Sequence, residues 1–167
     1  MKKFYLKQKV LAITDRYKLY DEKSNLAYYV ESQFLSLAHK MYFYRASDKK
    51  QLYEMKKKIL SFLPRYFITS PEGEELASVQ MKFAFLKYKL DITSKFGQFV
   101  MNGDLLAHDF NVTDNGKPMV EVHKKWISIG DAYEVTILDE DKTEFLLALV
   151  LLIDDCLFNS RRTSFNH

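Results

Sequence analysis

The densest group of side chains able to do chemistry is basic and lies in the first half of the chain. It contains Lys49, Lys50, Lys56, Lys57, Lys58 and Arg65. Alternate residues of a strand share a face, which would put Lys56 and Lys58 together and Lys57 on the opposite side. Each lysine near an anionic membrane contributes about 1 kcal/mol of attraction. We therefore predict a headgroup-binding site formed by Lys49, Lys50, Lys56, Lys58 and Arg65.

Two other interpretations of this basic run stay open. Lysines on edge strands prevent a sheet from pairing with other molecules, which would make the run purely structural. Aromatic residues are interleaved with the basic ones, as in proteins that stack single-stranded nucleic acid; they are Tyr42, Tyr44, Tyr53, Phe62, Tyr66 and Phe67. Alternating aromatics in strands more often form a core, so a nucleic-acid partner is not expected.

Signatures of catalysis, cofactor binding and metal binding are absent from the sequence. It has no G-x-S-x-G, G-x-G-x-x-G, P-loop, H-E-x-x-H or C-x-x-C motif. The histidines are single and far apart, which favours ordinary surface or strand positions over metal ligands; they are His39, His108, His123 and His167. We predict no catalytic residues, no metal and no cofactor, and the protein is expected not to be an enzyme.

Acidic residues flank an apolar run near the C-terminus. The residues at 139–141 lack the alternating oxygen ligands and the glycine of a calcium loop. They predict a helix start instead, with Asp141 as the N-cap and Glu144 as its capping-box partner. Asp154 and Asp155 are expected at the far end of this helix, where carboxylates oppose the helix dipole. There they would reach solvent or cap a backbone group; a catalytic pair is the less favoured alternative.

The elements that must position these residues belong to a folded, strand-rich chain. It has 167 residues, of which 47% are hydrophobic and 15% aromatic, so disordered and low-complexity classes are excluded. We expect a single domain over residues 1–167. The single cysteine, Cys156, excludes an internal disulfide, fits a reducing compartment and is expected to pack as a small hydrophobe. Without an apolar segment behind the basic N-terminus, we expect a cytoplasmic protein, peripheral at the membrane if the basic run binds headgroups.

Charge is distributed unevenly along the chain. Residues 1–70 contain 15 basic and 6 acidic residues, and residues 71–167 contain 10 and 16. We expect the two signs to intermix at the surface once the chain folds. The alternative is a basic half that attracts anionic partners.

A repeated pattern predicts the strands. Apolar residues recur at intervals of two, as in Tyr17/Leu19 and Met41/Phe43, which is the period of a half-buried strand. About 12 residues per strand and turn predict ten to twelve strands over residues 3–138, in a barrel or sandwich. A solenoid is less favoured, because the last thirty residues break the pattern. The repeats span 9–21, 33–45, 58–70, 82–92 and 125–137.

One helix is predicted over residues 142–158. Residues 145–153 are apolar on every side, so no face of the helix can meet water. Nine residues cover about 13 Å, too little to cross about 30 Å of hydrocarbon. The helix must therefore be enclosed by protein. A barrel of ten to twelve strands has room for a helix in its interior, whereas a barrel of eight strands does not. We predict an all-β barrel closed around this helix, with residues 159–167 as a mobile tail.

Three motifs resemble the tubby C-terminal-like superfamily, and most of all its bacterial LURP-one-related members. They are FLSLAHKMYFY (34–44), KKKILSFLPRYFI (56–68) and FLLALVLLID (145–154). The resemblance extends from about Phe4 to Phe158 and implies a twelve-stranded barrel around a central helix. It also implies binding functions, since tubby domains bind phosphoinositides, scramblases act at membranes and plant members are linked to defence responses.

The expected function is a non-enzymatic binding module, with anionic phospholipid headgroups as the ligand. The alternative is a scaffold that docks an acidic protein partner. Convergence of the five predicted cationic residues on one patch would favour lipid, and an exposed apolar patch of several hundred Å² would favour a scaffold. An enzyme would show a deep pocket with convergent polar groups.

Overall fold

The computed structural model describes residues 1–8, 15–33, 39–58, 65–84, 87–104, 109–126 and 131–164. Within these ranges the chain forms twelve strands, a short 3-10 turn at Glu140–Lys142 and one long helix, α1 (Thr143–Ser164). The strands are β1 (Lys2–Gln8), β2 (Asp15–Tyr20), β3 (Leu26–Gln33), β4 (Lys40–Arg45), β5 (Gln51–Lys57), β6 (Arg65–Thr69), β7 (Glu75–Ala84), β8 (Lys87–Ser94), β9 (Phe99–Asp104), β10 (Asp109–Asp114), β11 (Lys117–Trp126) and β12 (Asp131–Ile137).

All twelve strands belong to one antiparallel sheet that curls into a nearly closed barrel. Its order is β8-β7-β6-β5-β4-β3-β2-β1-β12-β11-β10-β9. The first and last strands pair directly, with Lys2 opposite Ile137. The two edge strands, β8 and β9, are consecutive in the chain but are not neighbours in this order, and the turn between them contains one isolated bridge, between Ser94 and Gly97. The predicted twelve-stranded barrel with a C-terminal helix is confirmed.

The barrel has two ends, which we name after residues of the helix region. Odd-numbered strands begin at the Glu140 end, where β12 passes into α1. They finish at the Asp155 end, towards which α1 runs. The inward side chains of the repeated pattern are buried, as the period of two predicts; they include Tyr17, Leu19, Met41, Phe43, Tyr66, Ile68, Tyr133 and Val135. The first halves of most repeats lie outside the described residues.

The helix fills the interior of the barrel. Every side chain from Phe145 to Ile153 is at most 3% exposed, which explains why this run has no polar face. The helix is longer than predicted, since it continues through Ser164 rather than ending near 158. The expected mobile tail is therefore wrong for residues 159–164, which contain no glycine or proline that would stop a helix. Asp154 and Asp155 consequently lie in the middle of the helix and not at its far end.

The predicted start of the helix is also corrected. Asp141 is exposed within the 3-10 turn, and α1 begins two residues later at Thr143. The Thr143 hydroxyl donates to the carbonyl oxygen of Glu140 at 2.7 Å. Glu144 does not turn back to complete a capping box with Asp141, because the guanidinium of Arg45 on β4 binds its carboxylate.

Sheet order follows the order of the two charge regions in the sequence, and the regions border each other where β1 pairs with β12 and β6 with β7. Because the strands pair with their neighbours in sequence, β1 to β6 form one continuous wall, and they hold most of the basic half of the chain. The acidic outward side chains of β8 to β12 include Asp91, Asp104, Asp109 and Glu121. The two signs nevertheless meet in ion pairs, both between the halves of the chain, as in Lys3–Glu134 at 3.2 Å, and within the basic half, as in Lys40–Glu54 at 3.5 Å.

Candidate functional site

The outer surface of β1 to β5, with the first residue of β6, combines cations with tyrosines. Strand alternation buries one set of side chains and turns the other set outwards. From this outward set we name as the basic wall Lys7, Lys18, Lys40, Lys56, Lys58 and Arg65, with Tyr5, Tyr20, Tyr29, Tyr42 and Tyr44. The same face also carries Lys3 and the carboxylates of Glu31 and Glu54. Each of these tyrosines is partly exposed. Their outward position was not predicted, although each alternates along its strand with apolar residues that point inwards.

Cross-strand pairing places the members of the basic wall side by side. Lys7 lies opposite Lys18, and Lys18 lies opposite Tyr29. The rings of Tyr29 and Tyr44 stack with centroids 5.1 Å apart. Lys7 Nζ lies 5.1 Å from the ring centroid of Tyr20, within the range of a cation–π contact. The wall is therefore a continuous surface.

The five sequence-predicted residues divide between the two ends of the barrel. Lys56, Lys58 and Arg65 lie together at the Asp155 end, where the Lys58 N–H donates to the Arg65 carbonyl at 2.8 Å. Lys49 and Lys50 lie in the turn before β5, about 20 Å away at strand rise. They do not join the other three in one patch.

The sequence did not single out Lys40, which lies opposite Lys56 and brings a further cation to the group of three. Its ammonium also pairs with the Glu54 carboxylate at 3.5 Å. Lys57 points to the inner side, as predicted, with Nζ 5.8 Å from the Tyr66 ring centroid. The cationic patch at the Asp155 end is thus formed by Lys40, Lys56, Lys58 and Arg65.

Buried carboxylates distinguish the interior of the Asp155 end. Asp154 is 5% exposed and Asp155 is fully buried. The Tyr17 hydroxyl donates to Asp154 Oδ2 at 2.8 Å, and His39 Nε2 lies 3.3 Å from Asp155 Oδ1. A buried carboxylate is costly without such partners. These contacts tie the middle of α1 to β2 and to the residue before β4.

The thiol of Cys156 lies next to this acidic pair. Burial raises its pKa well above the ordinary value, and the neighbouring Asp155 raises it further. The thiolate is the nucleophilic form of cysteine, so a raised pKa makes the group inert near neutral pH. Its packing as a small hydrophobe agrees with its 1% exposure.

A cavity of about 900 Å³ opens at the Glu140 end, between the helix start and the turns before β3 and β5. Aromatic and apolar side chains form its floor, among them Phe4, Tyr28, Tyr53, Phe96 and Phe145. Leu26 and Phe96 at its mouth are each 39% exposed. This cavity could not be predicted from the sequence, since turns from distant parts of the chain assemble it. The pair Phe96-Gly97 was the local feature of the sequence that could have indicated an aromatic side chain exposed in a turn.

Glu144 is the central polar group of the cavity. Both contacts of Arg45 with this carboxylate end on Oε1, from Nε at 2.8 Å and from Nη2 at 2.7 Å. Partial burial raises the pKa of the Tyr28 and Tyr53 hydroxyls, and the negative charge of Glu144 raises both further. Tyr28 also shares a hydrogen bond with Glu144. The two tyrosines are therefore neutral hydrogen-bonding groups well above neutral pH.

Across the ranges that the structure describes, no three or more His, Cys, Asp or Glu side chains are grouped so as to hold a metal ion. None of the helical segments in those ranges has both the length and the apolar character needed to cross a bilayer.

Comparison with known proteins identifies the family. The sequence profile described as LURP-one-related matches residues 2–154. The chain belongs to the LURP-one-related family. A relative in Bacillus subtilis, described as the uncharacterized protein YxjI, is 31% identical over 164 residues, which cover 98% of this chain and 99% of that protein.

A solved structure shows the same fold in a plant. The X-ray structure of a protein from Arabidopsis thaliana superimposes with a TM-score of 0.63 and covers 92% of this chain and 90% of its own. The two are 17% identical, so this likeness concerns the fold alone. The resemblance to LURP-one-related proteins is confirmed by the family profile, and this barrel supports the fold.

Proposed function

We propose that this LURP-one-related protein is a non-enzymatic, cytoplasmic binding module that attaches peripherally to membranes through anionic phospholipid headgroups. The observation that carries the proposal is the basic wall, because the meander order collects six cations and five tyrosines on one surface. The cationic patch of Lys40, Lys56, Lys58 and Arg65 is its most concentrated part.

The electrostatics of the patch favour an anionic partner. Lys40 pairs with Glu54, but no ion pair to Lys56 or Lys58 is seen in the part of the chain that the structure describes. The Arg65 guanidinium donates to the neutral Gln80 side chain at 3.1 Å. Lys56, Lys58 and Arg65 near an anionic bilayer supply about 3 kcal/mol, roughly a hundredfold in partitioning. Salt should weaken this attraction, because the Debye length is about 8 Å at physiological ionic strength.

The tyrosines of the basic wall suit the same partner. Tyrosine concentrates at membrane–water interfaces, where its ring lies among the headgroups and its hydroxyl stays hydrated. Tyr42 keeps its hydroxyl bonded to Gln33 Oε1 at 3.3 Å. Rings such as Tyr29 and Tyr44, already stacked on one another, would lose little side-chain entropy on contact with a surface.

A scaffold for an acidic protein is the second candidate, since tyrosine is also enriched at protein interfaces. Such a scaffold would be expected to expose an apolar patch on the same surface. The large exposed apolar side chains in the described ranges are Met1, Leu26, Phe96 and Val100, and none of them belongs to the basic wall. The basic wall itself therefore favours the lipid headgroup, while Met1, Leu26 and Phe96 lie at the cavity of the Glu140 end.

Co-sedimentation with vesicles tests the proposal. Neutral vesicles are compared with vesicles bearing phosphatidylserine or phosphoinositide, at low and at physiological salt. The wild type should sediment only with the anionic vesicles, and the Lys56→Glu/Lys58→Glu variant should lose most of this binding. The matched control is Lys49→Glu/Lys50→Glu, which has the same change in charge at the other end of β5 and should bind as the wild type does.

Two outcomes contradict the proposal. One is no binding to anionic vesicles at either salt, after which pull-down with acidic protein partners becomes the appropriate experiment. The other is equal loss in both double variants, which would mean that overall charge, and not the patch, determines the binding. Circular dichroism melts should show that both variants fold.

A further inference from the structure

We infer that the last turns of α1 complete the headgroup-binding site, with Arg161 and Arg162 as two further cations at the same end as the cationic patch, so that the protein approaches an anionic membrane with its Asp155 end. This inference rests on the proposed function and extends it, because neither arginine belongs to the basic wall. It also gives the barrel a direction on the membrane.

The contacts of the buried carboxylates show how far α1 reaches. Tyr17, the third residue of β2, donates to Asp154, and His39, the residue before β4, contacts Asp155. Both strands begin at the Asp155 end, so Asp155 lies level with the ends of the strands. The helix continues for nine residues after Asp155. At about 1.5 Å per residue, its last turns extend about 13 Å beyond the strand ends.

The cationic patch lies on the side of the barrel against which the helix packs. Inside the barrel α1 contacts β5 and β6. Arg65 is the first residue of β6, and Lys56 and Lys58 lie on either side of the last residue of β5. The helix therefore passes the strand ends next to the patch.

The last turns of α1 are basic. From residue 156 to residue 164 they contain Arg161 and Arg162 and no acidic residue. An ion pair within the helix would need a carboxylate three or four residues before an arginine, and those positions are the uncharged residues 157–159. Asp155 is about 9 Å from Arg161 along the axis, more than the Debye length of about 8 Å. The helix dipole offsets only about half a charge, so this helix end keeps a net positive charge.

The charges of the strands and their connections have the same direction. At the Asp155 end, the two outermost residues of every strand and the segments that connect the strands include ten basic and four acidic residues. At the Glu140 end, the corresponding residues, with the segment from β12 to α1, include nine basic and ten acidic ones. A charge difference between two ends orients a protein above a charged surface. An anionic membrane therefore attracts the Asp155 end.

Co-sedimentation with phosphatidylserine vesicles tests the role of the arginines. Arg161→Gln/Arg162→Gln should weaken binding about thirtyfold at low salt. The matched control is Lys49→Gln/Lys50→Gln, which makes the same change of charge at the Glu140 end and should bind as the wild type does. Arg161→Lys/Arg162→Lys keeps both charges and should keep most of the binding. Arginines that only offset the helix dipole would change the thermal melt and not the membrane affinity.

The single tryptophan tests which end approaches the membrane. Trp126 is the last residue of β11 and lies at the Asp155 end. Energy transfer from Trp126 to a dansyl-labelled headgroup is compared with transfer in the Phe96→Trp/Trp126→Phe variant, at vesicle concentrations that bind all of the protein. Phe96 is exposed at the Glu140 end. Transfer should be stronger from Trp126, and both proteins should melt cooperatively.

Two results overturn the inference and leave the proposed function in place. One is equal vesicle binding by the arginine-to-glutamine variant and its lysine-to-glutamine control. The other is transfer from position 96 that equals or exceeds transfer from Trp126. If the wild type binds no anionic vesicle, the proposed function fails and the inference fails with it.

Discussion

The two ends of the barrel stabilise their carboxylates in opposite ways. At the Glu140 end, Glu144 lies beside an open cavity and is bound by the fully charged, partly exposed Arg45. At the Asp155 end, Asp154 and Asp155 are shut away from water and meet a tyrosine hydroxyl and an imidazole. Water screens the first arrangement and not the second. Stability should therefore depend on the closed end, while the open end is available for ligands.

The residues between the two ends should matter most. Leu149 is fully buried at the centre of α1, and Leu149→Asp would place an unpaired charge inside the barrel. We expect this variant not to fold, as judged by the loss of a cooperative thermal melt. Leu149→Met, which conserves volume, should fold and cost less than about 1.5 kcal/mol. A cooperatively melting aspartate variant would disprove the buried position of the helix.

The closed end should show the next largest effect. Tyr17→Phe removes the hydroxyl that donates to the buried Asp154 at 2.8 Å. We expect a loss of about 2 kcal/mol in the free energy of unfolding, measured by urea denaturation. Tyr20→Phe makes the same chemical change on the outer surface and should cost less than about 0.5 kcal/mol. Equal effects of the two variants would mean that the buried hydrogen bond does not stabilise the barrel.

The open end should show the smallest effect on stability. Arg45→Met removes the cation that joins Glu144 to Asp48, all in contact with solvent. The change in urea midpoint should be clearly smaller than that of Tyr17→Phe, and high salt should reduce it further, because salt screens surface pairs. A change as large as that of Tyr17→Phe would remove the distinction between the two ends.

Much of the fold could be predicted from the sequence, because its signals are local. Pairs such as Tyr17/Leu19 and Met41/Phe43 fix the strand period, and a run with no polar face at 145–153 has to be enclosed. The end of the helix was missed, since residues 159–164 are polar yet carry no helix-stopping residue. Polarity alone does not end a helix.

The candidate site depends on which residues are neighbours in space, and these neighbours were harder to predict than the strands and the helix. Lys49 and Lys50 are close to Lys56 in sequence, but a straight strand carries them to the opposite end of the barrel. Lys40 lies beside Lys56 because β4 pairs with β5, and no local motif indicates this pairing. The cavity at the Glu140 end is assembled from turns spread between residues 21 and 145. Spacing along the chain could not reveal it.

The pairing of β1 with β12 has a consequence for how the protein is made. A ribosome releases β1 first, yet the strand that covers one of its edges ends at Ile137, and the helix that fills the interior follows later still. Until then the inward faces of the early strands have no partner, and exposed apolar strands are prone to aggregate. Closure requires pairing between β1 and β12, which are far apart in sequence, and such long-range pairing slows folding. The growing chain should therefore need protection by chaperones until the last residues of α1 have left the ribosome.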